Sequence, residues 1–300
     1  MGKTITSKLA FKLLDFTKSK LTLKTDEEIN NYLKEKEAKN KEEYKLPLIV
    51  ENMYEEYFLD GMKYYLINKK ANPKKVILYL HGGSYIDQPL PFHWLFLNKI
   101  AKKTKALIYV PIYPKIPISN YREAYTKVLK LYKEIIKDKD LSNLTIMGDS
   151  AGGGLALGLA QELVANKINL PNNLILISPW INLELTNPYI KYIEEFDPML
   201  SLKQLQVFGK LWARKTELNN PLVSPLYGDL NSLPPITYFT GVNEILYPDA
   251  LIFKEKAMKA NISLRFIEDK NMYHCYPLFP IKNGKKAVNQ IVRIINKKNK

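Results

Sequence analysis

Gly148-Asp149-Ser150-Ala151-Gly152 carries the strongest chemical signature in this chain. A serine hydroxyl is a weak nucleophile until it is held exposed beside a base. A G-x-S-x-G pentapeptide does the holding, because a sharp turn between a strand and a helix needs small neighbours that tolerate unusual dihedrals. The apolar run Leu144 to Met147 precedes the motif, a helical stretch opens near Gly154, and Gly148, Gly152, Gly153 and Gly154 supply the small residues. Without catalysis the same segment is a glycine-rich helix start that binds an anion or packs closely, so further features must decide.

His81-Gly82-Gly83-Ser84 is the second such feature. It follows the apolar run Val76 to Leu80 and lies upstream of Ser150, where the amides of Gly82 and Gly83, completed by that of Ala151, can point at the oxyanion of a tetrahedral intermediate. The serine also needs a base. His274 is the only histidine C-terminal to Ser150 and follows the candidate strand Ser263 to Ile267, so it is the expected proton carrier. His81 is expected to shape the oxyanion loop, and His93 to take a surface or lid position. Two carboxylates compete to orient the imidazole, Glu244 and Asp249, both just beyond the run Ile236 to Thr240. Asp249 follows Pro248 at a helix start and is equally accounted for as a first-turn acid facing the helix dipole. Asp149 is expected to support the turn, and Cys275 to be a small packed thiol. Tyr85, Trp94, Trp180 and Tyr247 either line a pocket or belong to the core.

The elements that must position these residues follow from apolar periodicity. Short continuous apolar runs, Val76 to Leu80, Ala106 to Val110, Leu144 to Met147, Leu174 to Ile177 and Ile236 to Thr240, suit strands buried on both faces of a sheet. Helical stretches such as Tyr121 to Ile136 and Leu155 to Val164 alternate with them, which predicts an α/β fold with a mostly parallel central sheet flanked by helices. Alternation in Tyr54 to Leu59 and Met62 to Ile67 about Asp60-Gly61 predicts a hairpin. Residues 1 to about 45 read as an N-terminal helical lid or flank, with a helix start at Thr25-Asp26-Glu27-Glu28. Ile5, Leu9, Leu13 and Phe16 there fall at helical spacing among lysines. Residues 46–300 form the catalytic domain. The stretch of about 187–222 is too long for a plain connection, carries helical patterning around Leu202 to Trp212, and reads as a lid insertion.

With these motifs in place, the chain resembles the hormone-sensitive-lipase-like branch of the α/β hydrolases (α/β hydrolase fold-3). That branch carries an H-G-G-[GS] segment and a G-D-S-A-G-G elbow, here His81 to Ser84 and Gly148 to Gly153. Ser178-Pro179-Trp180, Leu233-Pro234-Pro235 and Thr240-Gly241 extend the resemblance from about Lys75 to the C-terminus. Two departures stand out. Ser84 replaces the commonest fourth residue of the first motif, and the family's usual aspartate is absent from the turn after Thr240-Gly241. Aligning Gly241 and Leu246 places Glu244 at the acid position. The resemblance implies a serine carboxylesterase acting on short acyl esters through Ser150, His274 and Glu244, with no cofactor and no metal. An amidase or peptidase, or a non-catalytic ligand-binding protein on the same scaffold, are the alternatives.

Composition sets the outer limits. The 300 residues are 46% apolar and 25% charged, ordinary globular values that exclude a disordered chain. The net charge of +15 raises a polyanionic partner, but the lysines are spread along the chain and mixed with glutamate, so no nucleic-acid partner is expected. Cys275 is the only cysteine, which excludes an intramolecular disulfide and a tetrahedral cysteine zinc site. Lysines 3, 8, 12, 18 and 20 break up any leader-like apolar run, and no later run approaches a membrane span. Met1-Gly2 with Thr6 meets a short lipidation pattern that matches often by chance. The expectation is a cytoplasmic enzyme with a small-molecule ester substrate and no integral membrane association. Self-association into a homo-oligomer stays open.

Overall fold

The computed structural model describes residue 23 and residues 25–48, 54–69 and 74–297. The amphipathic stretch through Ile5, Leu9, Leu13 and Phe16 and the Met1-Gly2 pattern lie outside the described residues.

Eight strands form one sheet: β1 (Glu55–Leu59), β2 (Met62–Ile67), β3 (Val76–Leu80), β4 (Leu107–Pro111), β5 (Leu144–Asp149), β6 (Asn173–Ile177), β7 (Ile236–Asn243) and β8 (Leu264–Tyr273). Their spatial order is β1-β2-β4-β3-β5-β6-β7-β8. β1 pairs antiparallel with β2 and β2 antiparallel with β4, and every pair from β4 to β8 is parallel. The hairpin turns at Asp60 and Gly61, both at positive φ (51° and 73°), as a two-residue turn with the twist of its strands requires.

Burial follows position in the sheet. Every residue of β3 and β5 is buried, as their continuous apolar runs predict, whereas β1 alternates half-buried and exposed at the edge. The helices are α1 (Asp26–Lys41), α2 (Pro91–Thr104), α3 (Tyr121–Asp138), α4 (Ser150–Ala165), α5 (Ile190–Glu194), α6 (Leu202–Ala213), α7 (Tyr247–Lys259) and α8 (Lys282–Asn296). α4 packs on β3, β5 and β6, α3 on α4, and α2 on α8. α3 shows why such helices form. Asn120 caps it by accepting from the Arg122 amide, and Tyr121, Ala124, Tyr125, Val128, Leu131, Tyr132 and Ile135 make one buried stripe. α1 opens with the Thr25/Glu28 capping box that its sequence predicts.

Two boundaries differ most from the sequence reading. α4 begins at Ser150 itself, because a sheet strand delivers the chain straight into the helix. β8 runs to Tyr273, past the expected end at Ile267, since pairing with β7 sustains it through Glu268 and Asp269, polar residues an edge strand tolerates, and resumes at Tyr273.

Candidate active site

Ser150 stands where β5 passes into α4, with φ 51°, a left-handed conformation that costs a non-glycine residue on the order of 1–2 kcal/mol. The surroundings hold it there. A Cβ on Gly152 would lie 2.1 Å from the Leu80 carbonyl oxygen and 2.4 Å from that of His81, so only glycine lets α4 tuck beneath the loop leaving β3. That close approach brings the His81–Ser84 loop beside the serine.

His274 arrives from the end of β8, the edge strand three places along the sheet from β5. Its Nε2 lies 2.9 Å from Ser150 Oγ, and its Nδ1 2.6 Å from Glu244 Oε2. Strand register produces this meeting. β7 and β8 pair regularly to Gly241–Asp269, a bulge follows, and Asn243 then pairs with Tyr273. The next residue on each strand is Glu244 and His274, respectively, so the bulge sets them face to face. Glu244 is wholly buried; its Oε1 accepts from Thr240 Oγ1 (2.6 Å) and from the Gly241 amide (3.2 Å). Burial alone would lower the His274 pKa, but Glu244, with Asp197 and Asp149 adding to it, raises it above the usual imidazole value. With Nδ1–H donated to Glu244, Nε2 is left free to accept the serine proton.

Asp249 is elsewhere. It sits in the first turn of α7, buried, and neither carboxylate oxygen has a hydrogen-bonding partner among the described residues. Burial raises its pKa to about 6, against the opposing influence of Asn182.

The oxyanion loop departs from the expectation at one residue. The Gly82 amide donates to Asp149 Oδ1 at 3.0 Å, so it is not free to stabilise an oxyanion. Asp149 does support the turn, and it does so by taking that amide together with the Tyr79 hydroxyl and His93 Nε2 (3.2 Å). His93 is the second correction. It is buried on α2, with Nδ1 accepting from the Leu90 amide while Nε2 faces Asp149. Apolar residues on both sides of it along α2 carry it inward. His81 is buried and, with Lys115 and His93 nearby, its pKa is driven well below the usual imidazole value; Nδ1–H donates to the Gly82 carbonyl at 2.6 Å. Gly83 has φ 119°, followed by Ser84 and Tyr85 at 52° and 61°. Gly83 and Ser84, unlike Gly82, line a small cavity of about 60 Å³ over Ser150 and His274. Among the described residues no acceptor is bonded to either of their amides. Ala151, in the first turn of α4, has an amide that the helix leaves without an intrahelical partner.

Leu90, Phe92, Met199, Leu200 and Phe279 supply the cavity's apolar wall. Tyr85, Trp94 and Trp180 are core residues instead, and Tyr247 bonds Glu268 at 2.8 Å. Cys275 also borders the cavity, its Sγ 3.4 Å from His274 Nε2, and burial pushes its thiol pKa well up. The N-terminal helix reaches the same loop. Tyr32 Oη donates to both oxygens of Asp87 (2.8 and 2.7 Å), Lys36 Nζ pairs with Asp87 at 2.5 Å, and Asn40 Nδ2 donates to the Ile86 carbonyl at 2.8 Å.

A family model described as alpha/beta hydrolase fold matches residues 77–278. The chain belongs to the alpha/beta-hydrolase-fold family. It is 31% identical over 226 residues to an esterase of Acinetobacter venetianus, covering 74% of each protein. A triacylglycerol lipase of Mycobacterium tuberculosis is 30% identical over 209 residues, 69% of this chain and 43% of that protein. Among solved structures, that of a putative esterase from Staphylococcus aureus superposes with a TM-score of 0.89 at 32% identity, covering 93% of this chain and 96% of that one. The fold and family expected from the two glycine motifs are thereby established. Among the described residues no helix is long and apolar enough to cross a membrane. No group of three or more His, Cys, Asp or Glu side chains there is arranged to hold a metal ion.

Proposed function

We propose that the chain is a serine carboxylesterase of short-chain acyl esters, with Ser150 as nucleophile, His274 as base and Glu244 as acid. The observation that carries this is the continuous hydrogen-bonded line Ser150 Oγ, His274, Glu244, at 2.9 and 2.6 Å. Ser150 Oγ attacks the ester carbonyl carbon while His274 Nε2 takes the hydroxyl proton. The oxyanion is held by the amides of Ala151, Gly83 and Ser84, the last in place of Gly82. The intermediate collapses, His274 returns the proton to the leaving alcohol, and the acyl group stays on Ser150. Water, deprotonated by His274, then attacks the acyl-enzyme and releases the acid. Glu244 fixes the imidazole tautomer and stabilises its charged form.

Short acyl preference rests on the small cavity closed by Phe92, Met199, Leu200 and Phe279. We take α1 and the 187–222 insertion to be the lid that closes it. The test is hydrolysis of p-nitrophenyl esters graded by acyl length, with the butyryl anilide alongside. The shortest esters are expected to be turned over fastest, the anilide barely, and Ser150→Ala should be inactive and folded by circular dichroism. Full activity in Ser150→Ala would overturn the assignment.

A further inference from the structure

Asp197 lies in the insertion, in the segment between α5 and α6, and is buried. No signal in its local sequence, Phe196-Asp197-Pro198-Met199-Leu200, connects it to the three candidate residues 47 or more positions away. The fold does. Its Oδ1 accepts from the amides of Met199 (2.8 Å) and Leu200 (3.0 Å), and its Oδ2 accepts from the amide of Ile245 (2.8 Å). Met199 and Leu200 are wall residues of the cavity, and Ile245 is the residue after Glu244. One carboxylate thus ties the substrate-facing end of the insertion to the loop that carries the acid. Its charge also faces His274, which in turn favours the ionised form of Asp197.

We infer that Asp197 is a positioning residue of the hydrolytic reaction, holding the Glu244 loop and the Met199–Leu200 wall in register and adding its negative charge to those of Glu244 and Asp149 to steady the His274 imidazolium. This rests on the triad reading above. A single buried carboxylate suits the task because three amide donors satisfy it, while its remaining negative charge acts across a poorly solvated space. The ionisable groups facing His274 are Glu244 from the end of β7, Asp149 from the end of β5, Asp197 from the insertion, and the adjacent Cys275 thiol. Toward solvent, the groove beside Asp197 carries Lys191, Glu194, Glu195 and Lys203. Burial raises the Asp197 pKa to about 6, with the three amides and His274 pulling the other way, so the carboxylate is charged at the alkaline side of neutrality, where a serine esterase works.

Charge and reach are separable by substitution. Asp197→Asn keeps the shape and one acceptor but removes the charge. Asp197→Glu keeps the charge but moves the acceptors by one methylene. For both, kcat/KM on a short p-nitrophenyl ester is measured from pH 5 to 9, with thermal melts to confirm folding. A carboxylate near an imidazolium favours its charged form, so removing it lowers the His274 pKa. In Asp197→Asn the acid limb of kcat/KM is therefore expected to shift toward lower pH by roughly half a unit, with kcat/KM down about 3–10-fold on the plateau. In Asp197→Glu the limb stays in place and the plateau falls by a similar factor, because the Ile245 and Leu200 amides lose their alignment. An Asp197→Asn enzyme with an unmoved limb and wild-type plateau activity overturns the inference. If that variant does not fold, wild-type activity in Asp197→Glu does so. Failure of the triad reading shows separately, as esterase activity that survives Ser150→Ala.

Discussion

Replacing Glu244 by glutamine exchanges a carboxylate oxygen for an NH₂ group, and the donors around that side chain decide which way the amide turns. Glu244 Oε1 receives two of them, the Thr240 hydroxyl at 2.6 Å and the Gly241 amide at 3.2 Å. A glutamine carbonyl must occupy that place to satisfy them, which puts the amide nitrogen 2.6 Å from His274 Nδ1, where Oε2 now sits. An amide nitrogen only donates. His274 Nδ1 is then forced to accept, its proton moves to Nε2, and Nε2 can no longer take the proton of Ser150. The same exchange in the chymotrypsin triad costs about 10⁴ in kcat, equivalent to about 5.5 kcal/mol. An escape exists: the glutamine can flip, turning its oxygen to His274 and its NH₂ toward the Gly241 amide, at about 2–3 kcal/mol for the unmatched buried donors. At that cost roughly one molecule in 30 to 150 retains the productive tautomer. The expected loss in kcat/KM is therefore between about 30-fold and 10⁴-fold, with no change in fold, measured on a short p-nitrophenyl ester and by the labelling rate with a fluorophosphonate. Asp249→Asn, assayed in parallel, is expected to keep wild-type turnover. Glu244→Gln activity within tenfold of wild type, or a severe loss confined to Asp249→Asn, would refute the reasoning.

Asp249 has a different expected signature. With a folded pKa raised to about 6 from an ordinary 3.8, the folded chain binds this proton more tightly than the unfolded chain. Stability from this group is therefore full below pH 3.8 and falls as pH rises toward 6. Above that window the charge is a net burden of up to about 3 kcal/mol. Asp249→Asn removes this titration, so its stability relative to wild type should be about 2 kcal/mol better at pH 8 than at pH 4. With a constant cost of about 1–2 kcal/mol for an amide without partners, it is expected to gain about 1 kcal/mol at pH 8 and lose about 1 kcal/mol at pH 4, read from urea unfolding at the two pH values. In Gly152→Ala, the new methyl meets two backbone carbonyls of the loop leaving β3. The loop and elbow must separate, so ester hydrolysis should fall by at least about 10²-fold, while a surface control such as Lys137→Ala stays at wild type.

Ser150 and His274 were legible as candidates because their evidence is local, whereas Glu244 was legible only as one of two carboxylates. A glycine-rich turn between an apolar run and a helix and a histidine after a late strand are both statements about short segments. The sheet was legible for the same reason, since strands buried on both faces must be continuously apolar. His93 and the Gly82 amide escape such a reading because the role of each depends on a partner far along the chain. Asp149 lies 56 positions from His93 and 67 from Gly82, and nothing in either segment records that this carboxylate consumes the one amide and faces the other ring. The same limit hides Asp197, along with Phe92, Met199, Leu200 and Phe279 in the cavity wall, because apolar patterning says that a side chain is buried and not what it is buried against. Sequence alone thus determined the fold, the family and the candidate nucleophile and base, which follow from periodicity and turn chemistry. Tertiary structure decided which carboxylate meets His274, through one bulge in the β7–β8 register. It also decided which amides remain free at the oxyanion loop, because hydrogen-bond donors are allotted by proximity in space rather than by order along the chain.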